Sequence, residues 1–302
     1  MSDNIWYKKF SIGLNLMPNE SDNKLLLRTY QQYLSSLYFS LPIGGKYYSR
    51  HRIQKEFQDE NAEQRLYNVL TYAKKLNIRL EWALNTYNLS VSDLNYAINC
   101  MKLVGLVPDE IVCLKDYGER IRTAFPHCEL KYSFNNTDYR NIPDFFDTVV
   151  VGKQYLRSQE MRHQLLKKGF RLVLLLNNGC SYACQGPCQS GKRCKSLIQS
   201  QLNHSNANEL YALQSFFPNE LNRLVETDQF SSHYRYKISN RPLGLTYTKN
   251  ALDAYLGKLS VEEALSISLD NYSLFGAMAS LLSLKNQFNF DSIVEIKKGL
   301  SV

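Results

Sequence analysis

Four cysteines, Cys180, Cys184, Cys188 and Cys194, fall within fifteen residues, in the segment LLNNGCSYACQGPCQSGKRC spanning residues 175–194. Thiols gathered this closely in a reducing compartment read as metal ligands before they read as disulfides. Four thiolates suit Zn2+ or an iron–sulfur cluster. Structural zinc sites usually pair cysteines two residues apart, whereas here three, three and five residues intervene. That irregular spacing, in a loop made pliable by glycine, favours an iron–sulfur cluster, of 4Fe–4S type, with zinc as the alternative. The spacing also differs from the C-x3-C-x2-C loop of radical SAM enzymes. Unliganded, four such thiols would be oxidation liabilities. Cys100, Cys113 and Cys128 stand singly among apolar neighbours, where reduced cysteine behaves as a small hydrophobe.

The elements that must position this loop alternate along the chain. Strand-like runs at 10–16, 34–41, 78–84, 110–114, 129–134, 148–152 and 170–176 are separated mostly by stretches of helical period, and an eighth run lies at 234–238. Ser90 and Ser158 have the character of helix N-caps. This order predicts βαβ units and an α/β fold, a (β/α)8 TIM-type barrel that could be irregular or incomplete, with a doubly wound open sheet as the competing topology. The expected division is a barrel over residues 1–245, carrying the cysteine loop at 177–194, and a helical C-terminal extension over 246–302 packed upon it.

In such a barrel the residues just after each strand converge on one mouth. Asn15, Asn85, Asn135, Lys153 and Asn177 occupy these positions, and Lys237 and Arg241 leave the eighth strand. Carboxamides and cations there would hold a carboxylate, a phosphate or a base edge. Each asparagine taken alone has an adequate explanation in turn chemistry. Glu81 alternates with apolar neighbours beside Arg79; a catalytic carboxylate facing the barrel interior is the alternative, and an outward-facing, solvated pair is the expected arrangement. No catalytic residue is assigned. No G-x-S-x-G, P-loop or G-x-G-x-x-G occurs, which removes support for acyl transfer and nucleotide hydrolysis.

The net charge of +8 and pI near 9.0 favour an anionic partner, RNA or a small molecule. A partner subunit is compatible with this composition. No run approaches the roughly 20 apolar residues of a membrane span. Residues 1–10 hold no apolar stretch behind their charges, so the cytoplasm is the expected location.

Several pieces, in order, resemble the U32 peptidase-like family: Tyr38-Phe39-Ser40, YAKKLNI at 72–78 leading to Leu84-Asn85-Thr86, Val151-Gly152-Lys153, the cysteine loop, YKISNR at 236–241, and Ala254-Tyr255 with Gly257. The resemblance spans about residues 34–257. It implies a TIM barrel, a 4Fe–4S cluster on the four cysteines, and a part in hydroxylation-type modification of RNA bases or of a biosynthetic intermediate. Asn240 replaces the family's glycine, Asn177-Asn178-Gly179 replaces its His-Gly-Ala, and the cysteines are more compressed. These departures weigh against peptidase activity. The rival from another class is a zinc-stabilised nucleic-acid-binding module without catalysis.

Overall fold

The computed structural model describes residues 5–14, 20–43, 46–47, 61–85, 89–133, 141–152, 156, 158–181, 213–215, 218–239, 244–260 and 263. Its strands are β1 (Phe10–Gly13), β2 (Leu34–Phe39), β3 (Pro42–Ile43), β4 (Lys46–Tyr47), β5 (Arg79–Leu84), β6 (Glu110–Cys113), β7 (Glu129–Ser133), β8 (Thr148–Val151), β9 (Arg171–Leu175), β10 (Asn177–Ser181), β11 (Leu213–Ser215) and β12 (Tyr234–Lys237). The helices are α1 (Glu20–Tyr30), α2 (Ala62–Lys75), α3 (Val91–Leu103), α4 (Lys115–Ala124), α5 (Gln159–Lys167), α6 (Pro218–Thr227) and α7 (Gly244–Tyr255). Eight strands close into a barrel in the order β1-β12-β9-β8-β7-β6-β5-β2, every neighbouring pair parallel. This is the (β/α)8 TIM-type architecture, and the strands lie within two or three residues of their expected bounds.

Local chemistry explains the agreement. Ser90 accepts a hydrogen bond from the Asp93 amide at 3.1 Å and Ser158 one from the Met161 amide at 3.3 Å, so both serve as N-caps. Gly105 and Gly169, with φ of 70° and 89°, take the left-handed conformation just beyond α3 and α5, where a side chain would be strained. Helix α2 buries Leu66, Val69, Leu70 and Ala73, a stripe of 3.6 period, against the outer face of the barrel. That outer face consists of Phe10, Ile12, Leu37, Phe39, Leu80, Trp82, Leu84, Ile111, Leu130, Val149, Leu172, Leu174, Tyr234 and Tyr236. It forms one continuous core with the helices.

Helix α7 straddles residue 245, the expected junction between barrel and extension. It packs on α1, where the Tyr30 hydroxyl donates to Asp253 Oδ1 at 2.6 Å, and Tyr255 lies 6.5 Å from the Phe10 ring. It therefore takes the place of the barrel's eighth helix. Among the described residues, no helix is long and apolar enough to cross a membrane.

Candidate functional site

The cysteine loop begins where β9 ends. Strand β10 carries Asn177 and Cys180 and starts two residues after Leu175; the Leu176 amide between them donates to the Lys237 carbonyl at 3.0 Å, tying this exit to the end of β12. β10 pairs antiparallel with β11, so a two-stranded flap rises from the C-terminal end of the barrel. The side chains of Asn177 and Cys180 are outside the described residues, as are Asn15, Asn135, Lys153, Cys184, Cys188, Cys194 and Arg241. Asn85 is described: its Nδ2 donates to Ser133 Oγ at 3.3 Å, joining the ends of β5 and β7 across β6.

The isolated cysteines differ in character. Cys113 is wholly buried, and burial raises its thiol above the ordinary value. Burial likewise pushes Cys128 up to about 11, and its thiol donates to the Pro108 carbonyl. Both stay protonated at neutral pH, whereas a metal ligand must be a thiolate.

Charged residues line the barrel interior, which in this architecture is usually filled by branched aliphatic side chains. Lys131 reaches Glu81 Oε2 at 2.5 Å and also pairs with Glu110 Oε2; the three side chains are at most 1% exposed. Lys237 pairs with the other oxygen of Glu81. Arg235 bridges Glu110 and Glu129. Among the described residues, the enclosed charges therefore balance: Glu81, Glu110 and Glu129 against Lys131, Arg235 and Lys237. Arg79 and Arg171, which open β5 and β9, add two more cations at the N-terminal end, Arg79 to Glu110 at 2.7 Å and Arg171 to Glu129 at 3.5 Å. An apolar patch of Val112, Val150, Val173 and Leu175 fills the lumen beside them.

One expectation is corrected here. Glu81 points into the barrel and is fully buried, not outward and solvated. The outer face of a parallel barrel is covered by helices, so a charge that alternates with apolar residues has only the lumen to occupy. Lys237, an expected cationic anchor, lies inside the barrel: its ammonium pairs with Glu81 and sits 4.0 Å above the Tyr38 ring. Glu110, Glu129, Lys131 and Arg235 were not anticipated. Their signal was the period of two in E-I-V-C, E-L-K-Y-S and Y-R-Y-K, read together with barrel closure.

The electrostatics follow the pairing. Burial acts to raise the Glu110 carboxyl, but Lys131, then Arg235 and Arg79, outweigh it and hold the group below the usual carboxylate range. Glu129 is lowered too: burial opposes, and Lys131 and Arg235 prevail over repulsion from Glu110. Burial lowers the Lys237 ammonium, with Glu81 resisting. Such a lumen presents a fixed field to anything entering from the mouth without having to reorganise.

No protein-family model matches the chain, and no curated protein matches it. Solved structures similar to it include a beta-N-acetylhexosaminidase (10% identity, 90% of this chain and 76% of that one, TM-score 0.49) and a GH113 beta-1,4-mannanase (10% identity, 77% and 88%, TM-score 0.42). An uncharacterized B. cereus protein is similar at 12% identity, over 87% of this chain and 65% of that one, with a TM-score of 0.44. At these identities the likeness concerns the barrel fold alone.

Proposed function

We propose that the protein is a barrel enzyme that carries a cysteine-ligated metal centre, an iron–sulfur cluster of 4Fe–4S type, above its C-terminal mouth. It would use that centre in redox, hydroxylation-type modification of an anionic substrate, RNA or a small biosynthetic intermediate. The observation that carries this reading is the position of β10: Cys180 follows directly from the seventh barrel strand, at the end of the barrel where loops are free to carry chemistry. The donor set fits the group, since four clustered thiols match the preference of iron or zinc for sulfur. Cys113 and Cys128, buried and protonated, do not compete for the metal.

Bound there, the cluster would supply electron transfer. The chain's own residues would do the rest. Asn85, held by Ser133, offers a carboxamide at the mouth for a substrate oxygen or nitrogen. Beneath it the charged lumen would set the local field. A cytoplasmic location accords with this reading, because unpaired thiols such as Cys100, Cys113 and Cys128 persist in reducing compartments.

Anaerobic purification with iron, sulfide and zinc quantified on one sample tests the proposal. A brown protein with iron and sulfide in equal amounts supports it. Stoichiometric zinc without sulfide sinks it, and leaves the zinc-stabilised nucleic-acid-binding module as the better reading.

A further inference from the structure

At the N-terminal end of the barrel, away from the cysteine loop, the segments leading into β1, β2 and β5 enclose a cavity of about 390 Å³. These three strands are neighbours in the ring. The volume falls within the roughly 300–1,000 Å³ of small-molecule sites. Two cations, Lys8 and Arg28, line it together with the ring-bearing Tyr7. Among the described residues no carboxylate lines the cavity, and neither cation has an ion-pair partner.

The backbone fixes Lys8 in place. Lys8 and Asn77, with φ of 52° and 55°, are the non-glycine residues in the left-handed region among the described residues, and both line this cavity. Asn77 follows the end of α2, where asparagine tolerates that conformation. Lys8 has no such tolerance, and its amide is held by the Gln32 carbonyl at 2.9 Å. Its ammonium donates to the carbonyls of Gln31 at 3.0 Å and Asn77 at 3.2 Å, just beyond the C-terminal ends of α1 and α2. Bare carbonyls there would repel an anion; Lys8 covers two of them and has a third N–H without a partner among the described residues. The Gln31 side chain donates to the Leu76 carbonyl at 3.0 Å and braces the same floor. Burial lowers the Lys8 ammonium from its ordinary value, a penalty that a bound anion offsets.

We infer that this cavity binds a nucleoside monophosphate unit, with the phosphate held by Arg28 and Lys8 and the base laid against Tyr7. Arg28 is exposed, and its planar fork suits the paired oxygens of a phosphate. Tyr7 is 62% exposed, so its ring is accessible for stacking, which tolerates any base. Thr29, Gln32 and Asn77, all exposed, add a hydroxyl and two carboxamides to the lining for a ribose or a base edge. This chemistry is common to a free nucleotide and to one nucleotide of an RNA strand. The inference goes beyond the reading above and does not depend on it, because the cavity lies at the other end of the barrel and needs no metal.

Titration calorimetry of the full-length protein with adenosine 5′-monophosphate at low salt is the test. Saturable binding is expected, weakened at least about tenfold by Arg28→Gln and at least about fivefold by Tyr7→Ala. Both side chains are exposed, so the urea midpoints of the two variants should match that of the unaltered protein. Adenosine, which lacks the phosphate, should bind at least about tenfold more weakly. An oligoadenylate distinguishes the sources: tighter binding than the mononucleotide, weakened by the same two substitutions, assigns the site to RNA, and equal or weaker binding assigns it to a free nucleotide. No saturable binding of the mononucleotide at millimolar concentration overturns the site. Unchanged affinity in either variant, or adenosine binding as tightly as its monophosphate, overturns it as well.

Discussion

Replacing Lys131 by methionine tests the charged lumen most directly. The side chain is 1% exposed and stands between two carboxylates, on Glu81 and Glu110, that have no exposure at all. Methionine nearly preserves the volume, so the perturbation is loss of charge and not creation of a cavity. Removing one partner of a buried ion pair costs about 3–5 kcal/mol, whereas a surface pair is worth about 1 kcal/mol or less. Urea unfolding at pH 7 should then show the midpoint falling by about 1–2 M at a slope of about 3 kcal/mol/M. The pH dependence carries a second signature. Glu110 and Glu129 lie below the ordinary carboxylate range in the native protein, so their pairing stabilises it at and above that range and is lost as pH falls through their native values. In the variant both lose the strongest attraction opposing burial, so they protonate at higher pH. A protonated carboxyl needs no counter-charge, and the variant's deficit should shrink between pH 7 and pH 4. A loss under about 1 kcal/mol at pH 7, or a deficit equal at pH 7 and pH 4, would refute the reasoning.

Gly118→Ala in α4 should destabilise by about 1–3 kcal/mol, despite alanine's better helix propensity, because a Cβ there would meet Phe145 Cε2 at 2.1 Å and Phe146 Cζ at 2.8 Å; thermal melting reads this. Asp228 ties α5 to β12 through Arg162 Nη2 at 3.1 Å, His163 Nε2 at 3.1 Å and the Tyr234 hydroxyl at 2.9 Å, so Asp228→Ala should cost about 3 kcal/mol in urea unfolding. Burial raises the Asp228 carboxyl, but the Phe230 amide, His163, Arg162 and Tyr234 outweigh it and lower it, so this contribution should disappear as pH falls below the ordinary carboxylate range. Cys184→Ala or Cys188→Ala should abolish metal retention on elemental analysis, whereas Cys100→Ala or Cys113→Ala should leave it intact. Should the basic surface serve RNA, binding measured by filter retention will weaken steeply from low to physiological salt; affinity indifferent to salt would assign the charge elsewhere.

Much of the architecture was legible in the sequence because barrel elements are local. Runs such as RLVLL at 171–175 and the 3.6-residue stripe of Leu66, Val69, Leu70 and Ala73 specify strand and helix within a few residues. Ser90 and Ser158 mark helix starts by chemistry that needs only the next turn of chain. The cysteine cluster was equally plain, since clustering of one rare residue type is a property of the sequence itself. What only the tertiary structure decided is which way the alternating charges face. Glu81, Glu110, Glu129, Lys131, Arg235 and Lys237 come from four strands spread over more than 150 residues, and each looks like a solvated position when its strand is read alone. Closure covers one face of every strand with helices and turns the other inward, so the same period of two that suggests a half-exposed sheet becomes a buried ion-pair network. Ser11 and Ser36, whose buried hydroxyls have no hydrogen-bond partner among the described residues, belong to the same class of fact: whether a serine is satisfied depends on what the other strands place opposite it, and no local pattern carries that information.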